Sequence, residues 1–295
     1  MDITLALGGG GSRGVAHIGV LRGLEQLGCT IRAVAGSSAG GIVAAVYAAG
    51  YSPDEIAERF ARVDQSRLLR PSFSEGPGLL GLSTAARVLE EVLGKRTFAD
   101  LRIPCALTSV DAKSGQELIL TEGRLLDAVL ATIALPAIFP PQERGPYQLV
   151  DGGVLDPVPV RAARALAPSL PVVAVVLTPL IEPAGGFAHL GLPIRLPGPI
   201  AERITRLHLA QVFNIFIESM DAEARMLTEL RLQLDTPEVV IRPEVGGIGL
   251  LDRVDVQALV GIGEQAAAAS LPEIKRVLSW SRRIQRRVFP RRLGA

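Results

Sequence analysis

The sequence predicts an α/β layered fold with a mostly parallel central sheet flanked by helices. Three observations carry the prediction. Short continuous apolar runs, the mark of strands buried on both faces, alternate along the chain with helix-period patterns. Small aliphatic residues dominate while aromatics reach only 4%, which suits helices packed closely on a sheet. Glycine-rich turns stand where the first two apolar runs give way to helical patterns, at residues 8–14 and 36–40.

Each element follows from its own pattern. Residues 3–7 read as a short buried strand and 8–14 as a loop, and Ala16, Val20, Leu21, Leu24 and Leu27 mark a helix that stops at Gly28. A second strand over 31–35 runs into the 36–40 turn and a helix over 41–49, and a further helix begins near Pro53 and Asp54. Strands at 104–110 and 117–120 are joined by the turn DAKSG. Then come a helix at 125–133, a strand at 147–150, a helix at 160–166 and a fully buried strand at 172–177. A long amphipathic helix over about 201–227, a strand at 239–242, and helices at 256–269 and beyond Pro272 complete the chain. Residues 70–84 and 178–200 are rich in Gly, Pro and apolar residues, and they read as loops or lids, either a flexible apolar cover over a cleft or ordinary surface connections.

With 295 residues, 48% of them hydrophobic, the chain buries a sizeable core, and no repeat or linker divides it. The few aromatics argue against a base-stacking surface, so no nucleic-acid partner is expected. Cys29 and Cys105 lack metal or redox spacing and read as buried free thiols. The opening MDITLALGGG has no basic n-region, and its apolar run is too short for a signal peptide or membrane span. A cytoplasmic setting is the expectation. Net charge is +1, yet residues 275–295 carry eight Lys/Arg and no acid, which leaves the remainder with 23 basic and 30 acidic residues, or −7. Val277, Trp280, Ile284 and Val288 form one helical stripe with arginines elsewhere, a pattern suited to anionic lipid; a solvated or body-packed terminus is the plain alternative.

The chemistry centres on two serines. G-x-S-x-G fits one frame only, Gly36-Ser37-Ser38-Ala39-Gly40, so Ser38 is the candidate nucleophile on a strand-to-helix turn. The loop GGGGSRG also contains G-x-G-x-x-G at Gly9, Gly11 and Gly14, but no acidic residue ends the second strand to hold a ribose, and no Lys-Ser/Thr pair follows for a P-loop. Consecutive small residues at a helix N-terminus instead suit an oxyanion site. Asp151 ends a strand ahead of Gly152 and Gly153, where a carboxylate could accept a serine proton, although Asp-Gly-Gly taken alone is commonly only a turn. A histidine-based triad stays open through His189 or His208, whereas His17 sits inside the first helix in a packing or capping position.

Together, LALGGGGSRGVAHIGVLRGLEQLG, VAGSSAGGIVAAVYAAGY, ATIALPAIFPP and LVDGGVLDPVPV resemble the patatin-like phospholipases, especially the bacterial branch similar to neuropathy target esterase domains. The resemblance implies a three-layer patatin-like fold and a Ser-Asp dyad without histidine. Ser38 is then the nucleophile, Asp151 the general base, and the backbone of Gly9, Gly10 and Gly11 the oxyanion hole, with Gly14, Gly36, Gly40, Gly152 and Gly153 supporting the motifs. Arg13 matches the basic residue common in the family's glycine loop and reads as loop support. Gly8 stands where many members have an acid, and AVVLTP lacks the aspartate often found after that strand. The implied activity is phospholipase A or lysophospholipase type hydrolysis, needing no cofactor and no metal, by an acyl hydrolase domain over 1–270 with a basic tail over 271–295. Its partners would be a phospholipid or lysophospholipid substrate and, through residues 275–295, an anionic membrane surface on the inner face. The alternative is a catalytically weak membrane-binding or regulatory protein on the same fold.

Overall fold

The computed structural model describes residues 1–65, 76–179 and 198–279, with side chains of 198–214 outside that description. Among the described residues, eight strands form one sheet: β1 (Asp2–Leu7), β2 (Thr30–Gly36), β3 (Cys105–Asp111), β4 (Gln116–Leu120), β5 (Gln142–Arg144), β6 (Tyr147–Asp151), β7 (Val172–Val175) and β8 (Val239–Ile241). The helices are α1 (Ala16–Gln26), α2 (Ala39–Ala48), α3 (Pro53–Arg62), α4 (Ser83–Leu93), α5 (Leu125–Thr132), α6 (Val160–Leu166), α7 (Gly198–Asp235) and α8 (Val256–Val277).

The expected α/β fold with helices flanking a central sheet is present. Strands β8, β7, β1, β2 and β3 lie side by side and parallel, while β4 and β6 run antiparallel to β3 and β5 antiparallel to β6. Leu107 pairs with both Gly36 and Leu120, and Ser109 with both Leu118 and Asp151. A strand has two edges, so β4 holds one edge of β3 and β2 and β6 share the other. β2 runs along that edge and stops at Gly36; β6 runs toward it from the far end and stops at Asp151. The two strands point their carboxyl ends at each other, and the site forms in the gap.

The two faces of the sheet bury different residue types. Ile3, Leu5, Leu7, Val34, Leu107, Val173 and Ile241 belong to the larger core, together with apolar residues of α1, α2, α3, α5 and α8. On the other face Ala6 pairs with Ala35 and Ala174, and Ala35 pairs with Ala106. This row of alanines across four strands lets α6 pack closely through Val160, Ala162 and Ala163. Helices α1 and α8 cross in near contact: a Cβ on Gly19 would strike the Val260 carbonyl, and one on Gly263 the Ala16 carbonyl.

Several expectations change. Two elements, α4 and β5, were not anticipated. The described part of residues 70–84 is docked: Leu79 and Leu80 donate backbone hydrogen bonds to Ala137 and Ile138 at 3.1 and 2.8 Å, Leu80 and Leu82 are buried, and Ser83 opens α4. Of residues 178–200, 180–197 lie outside the described residues and 198–200 begin α7. The two helices expected around Pro272 are one, because burial of Ile274 and Val277 in the main core carries the turn past the missing N–H. Val277, assigned to a lipid-facing stripe, therefore faces the body, while Trp280, Ile284 and Val288 lie outside the described residues. Cys29 and Cys105 are buried and free, and burial pushes the Cys105 thiol up to about 12.

Candidate active site

Ser38 is the residue before α2, with φ 53° and ψ −127°. A non-glycine residue held there carries on the order of 1–3 kcal/mol of backbone strain. The neighbouring glycine makes the turn feasible, because a Cβ at Gly40 would collide with the carbonyls of Leu7 and Gly8. The Ser38 amide donates to Thr132 Oγ1 at 3.0 Å, which gives the ATIALP segment a supporting role that sequence alone did not reveal. The doubled serine resolves into unequal partners. Ser37 is fully buried and its amide donates to Leu7 O at 3.1 Å, whereas Ser38 is only partly covered.

The Ser38 hydroxyl donates to Asp151 Oδ2 at 2.6 Å. Asp151 Oδ1 accepts from the Gly153 amide at 2.7 Å, and the Asp151 amide donates to Ala134 O at 2.9 Å. Gly152 has no room for a side chain, since a Cβ would meet Thr108; β6 is thereby seated against β3. Asp151 is 1% exposed. Burial pushes its carboxyl up to about 6, against the lowering effect of the bonds from Ser38 and Gly153.

The glycine loop lies against this pair, with a Cβ at Gly9 falling 3.2 Å from the Ser38 Cβ and one at Gly14 meeting Ala39. Its three leading amides are not equivalent. Gly9 donates to Pro157 O at 2.8 Å, so the expected trio narrows to Gly10 and Gly11, neither of which donates a hydrogen bond among the described residues. The amides of Ala39 and Gly40, the first turn of α2, are likewise without an acceptor there. Ala39 was missed at the level of sequence, although its position directly after the candidate nucleophile was the available signal.

His17 is fully buried and its Nε2 lies 2.7 Å from Gly8 O, so Nε2 carries the proton and the ring braces the loop. Burial pushes its pKa down to about 4. His189 and the side chain of His208 lie outside the described residues. Among the described residues, no group of three or more His, Cys, Asp or Glu side chains is placed to hold a metal ion, and no helix is long and apolar enough to cross a membrane.

Taken together, a hydroxyl on a strained turn, a buried carboxylate with a raised pKa, and unengaged amides on the glycine loop and at the start of α2 are the parts that acyl transfer needs. Comparison with known proteins gives the family and the fold. A family model described as patatin-like phospholipase matches residues 5–164. An uncharacterised NTE family protein of Mycobacterium tuberculosis is 38% identical over 161 residues, 54% of this chain and 44% of the relative. A second from the same organism is 29% identical over 273 residues, 92% of this chain and 46% of the relative. The chain thus spans about half the length of these relatives. Among solved structures, VipD from Legionella pneumophila shares the fold with a TM-score of 0.56 at 13% identity, over 92% of this chain and 66% of that one.

Proposed function

The chain belongs to the patatin-like phospholipase family, and from that premise we propose that it is a serine acyl hydrolase cleaving carboxylic esters of phospholipids or lysophospholipids through a Ser38–Asp151 dyad. The observation that carries this reading is the 2.6 Å hydrogen bond from the Ser38 hydroxyl to Asp151, made on a turn beside unengaged backbone amides.

In this mechanism Asp151 takes the Ser38 proton as the oxygen attacks the ester carbonyl carbon, giving a tetrahedral oxyanion. The amides of Gly10, Gly11 and Ala39 receive that charge; the loss of one such donor typically costs about 3 kcal/mol of transition-state stabilisation. Collapse breaks the bond to the alcohol oxygen, which leaves with the proton from Asp151, and an acyl-serine remains. Water then attacks the acyl carbon while Asp151 takes its proton. The acid departs as Asp151 returns the proton to Ser38. Every proton is accounted for by one carboxyl group.

We assign the acyl hydrolase unit to residues 1–270 and a basic tail to 271–295, which would meet anionic lipid on the inner face of a membrane. Helix α8 crosses that boundary and ends at Val277, so lipid contact would fall to the residues after it.

The test is a lipid-class hydrolysis screen with wild type, Ser38→Ala and Asp151→Asn, combined with labelling by a fluorophosphonate. Hydrolysis and labelling in the wild type, both lost in Ser38→Ala, are expected. A well-folded wild type that neither reacts with the probe nor releases fatty acid from any lipid surface would favour the membrane-binding alternative.

A further inference from the structure

We infer that Asp221, on the distant helix α7, is a positioning residue that aims the oxyanion amides; the inference rests on the acyl-hydrolase reading above. Arg13, at the end of the glycine loop, is 3% exposed, and a buried guanidinium must find partners for its donors. Nη1 donates to Asp221 Oδ1 at 2.7 Å, Nη2 to Asp221 Oδ2 at 3.3 Å and Nε to Ile248 O at 2.6 Å. A two-oxygen grip on a planar guanidinium fixes its direction as well as its place. Arg225, one turn along α7, donates to Asp221 Oδ2 at 2.5 Å and holds the carboxylate from its other side. Burial alone would push Asp221 up, but the bonds from both arginines outweigh it and hold the carboxyl below the ordinary range.

The path from Asp221 to the chemistry is short and covalently explicit. The Arg13 amide donates to Gly10 O at 3.1 Å. That carbonyl and the Gly11 N–H belong to the same planar peptide unit, so holding one sets the direction of the other. The next amide, Ser12, donates to Leu250 O at 2.8 Å, and the Leu250 carbonyl occupies the place a Cβ on Gly11 would need. The loop is therefore gripped from outside by the segment around residues 248–250 and by Asp221. Of these grips, only Asp221 brings a charge.

Asp221→Asn removes the charge and one of the two acceptor oxygens facing Arg13. With a p-nitrophenyl ester as probe, kcat is expected to fall about 30- to 100-fold with KM within about threefold, because misdirected amides weaken only the transition state. The acid limb of the rate profile stays in place, since nothing around Asp151 changes, and the fluorophosphonate labels more slowly. Asp221→Glu keeps the ion pair but lengthens the arm by one methylene; it folds as wild type does and loses about tenfold in kcat. Rates are normalised to folded protein by circular dichroism. Wild-type kcat per folded molecule in both variants, or a loss tracking only the unfolded fraction, would overturn the inference. Hydrogen exchange over residues 8–14 separates this inference from the reading beneath it. If the wild type proves inactive, the proposed function falls, while faster loop exchange in Asp221→Asn still upholds the positioning role and unchanged exchange refutes it.

Discussion

Replacing Asp151 with Asn is expected to stabilise the folded protein while abolishing turnover, and the gain must depend on pH. Burial raises the Asp151 carboxyl from 3.8 to about 6, so above pH 6 the native state holds a charge that the unfolded chain holds more easily. At 1.36 kcal/mol per pKa unit, the penalty is about 3 kcal/mol. Asparagine avoids it and keeps the network, with its carbonyl oxygen accepting from Gly153 and its amide donating to the Ser38 oxygen. The sign follows from proton binding: between pH 4 and 6 the native state retains a proton the unfolded state releases, so wild-type stability from this group falls as pH rises. His17 acts in the opposite direction. Its pKa drops from 6.5 to about 4, so stability is lost as pH falls through that interval, again by about 3 kcal/mol. The two nearly cancel in the wild type, and only the difference between variant and wild type isolates Asp151. Urea unfolding at pH 4 and pH 7.5 reads it: Asp151→Asn should exceed wild type by about 2–3 kcal/mol at pH 7.5 and by under about 1 kcal/mol at pH 4. A gap that is the same at both pH values, or that favours wild type at pH 7.5, would refute the reasoning.

Further predictions follow from the same geometry. On the proposed reading Asp151 must be ionised to act as the base, so kcat/KM is expected to fall about tenfold per pH unit below pH 6 in a pH–rate profile of well-folded protein. Gly263→Ala drives a methyl into the Ala16 carbonyl where α1 and α8 cross; denaturant unfolding should show a loss of about 2–4 kcal/mol, with the labelling rate per folded molecule unchanged. Asp156 is fully buried, and burial and then the neighbouring Glu117 raise its pKa well above the ordinary range against the pull of Arg231. A raised carboxyl loses stability as pH climbs, so Asp156→Asn should increase the melting temperature at pH 8 and leave it little changed at pH 4.

How much of this was legible in the sequence depends on the range of the interaction that decides each feature. The sharp turn that carries Ser38 was legible because the G-x-S-x-G spacing is a local steric requirement: Gly40 must pass within contact of the Leu7 and Gly8 carbonyls. The parallel strands β1 and β7 announced themselves as apolar runs because both of their faces are buried. Strand direction left no such trace. β6 alternates or fails to alternate in the same way whichever way it runs, so its antiparallel placement on β3 appears only in the pairing. Helix α4 does carry a local signal, because Val88, Leu89, Val92 and Leu93 recur at helical spacing and Leu89 and Leu93 are the pair it buries. The separate fate of Gly9 is set by an acceptor far along the chain, the Pro157 carbonyl, and no local pattern encodes it. Asp221 was invisible for the same reason, lying 208 residues from the arginine it holds.

The antiparallel entry of β6 also bears on how a carboxylate can take a post often held by histidine. Because β2 and β6 meet end to end on one edge of β3, Asp151 arrives from the strand opposite Ser38 and reaches the hydroxyl directly at 2.6 Å, with no space for an intervening ring. An ordinary carboxyl is too weak a base to draw a proton from serine near neutral pH. Closing the gap over Asp151 excludes water from it, and that exclusion lifts its pKa to about 6, close to the ordinary histidine value of about 6.5. On the proposed reading, the topology that makes the contact also supplies the basicity. The cost is the pH-dependent instability that Asp151→Asn is predicted to relieve. A variant that lets water reach Asp151 without touching Ser38 would therefore move the acid limb downward and weaken the base together, two consequences of one change in solvation.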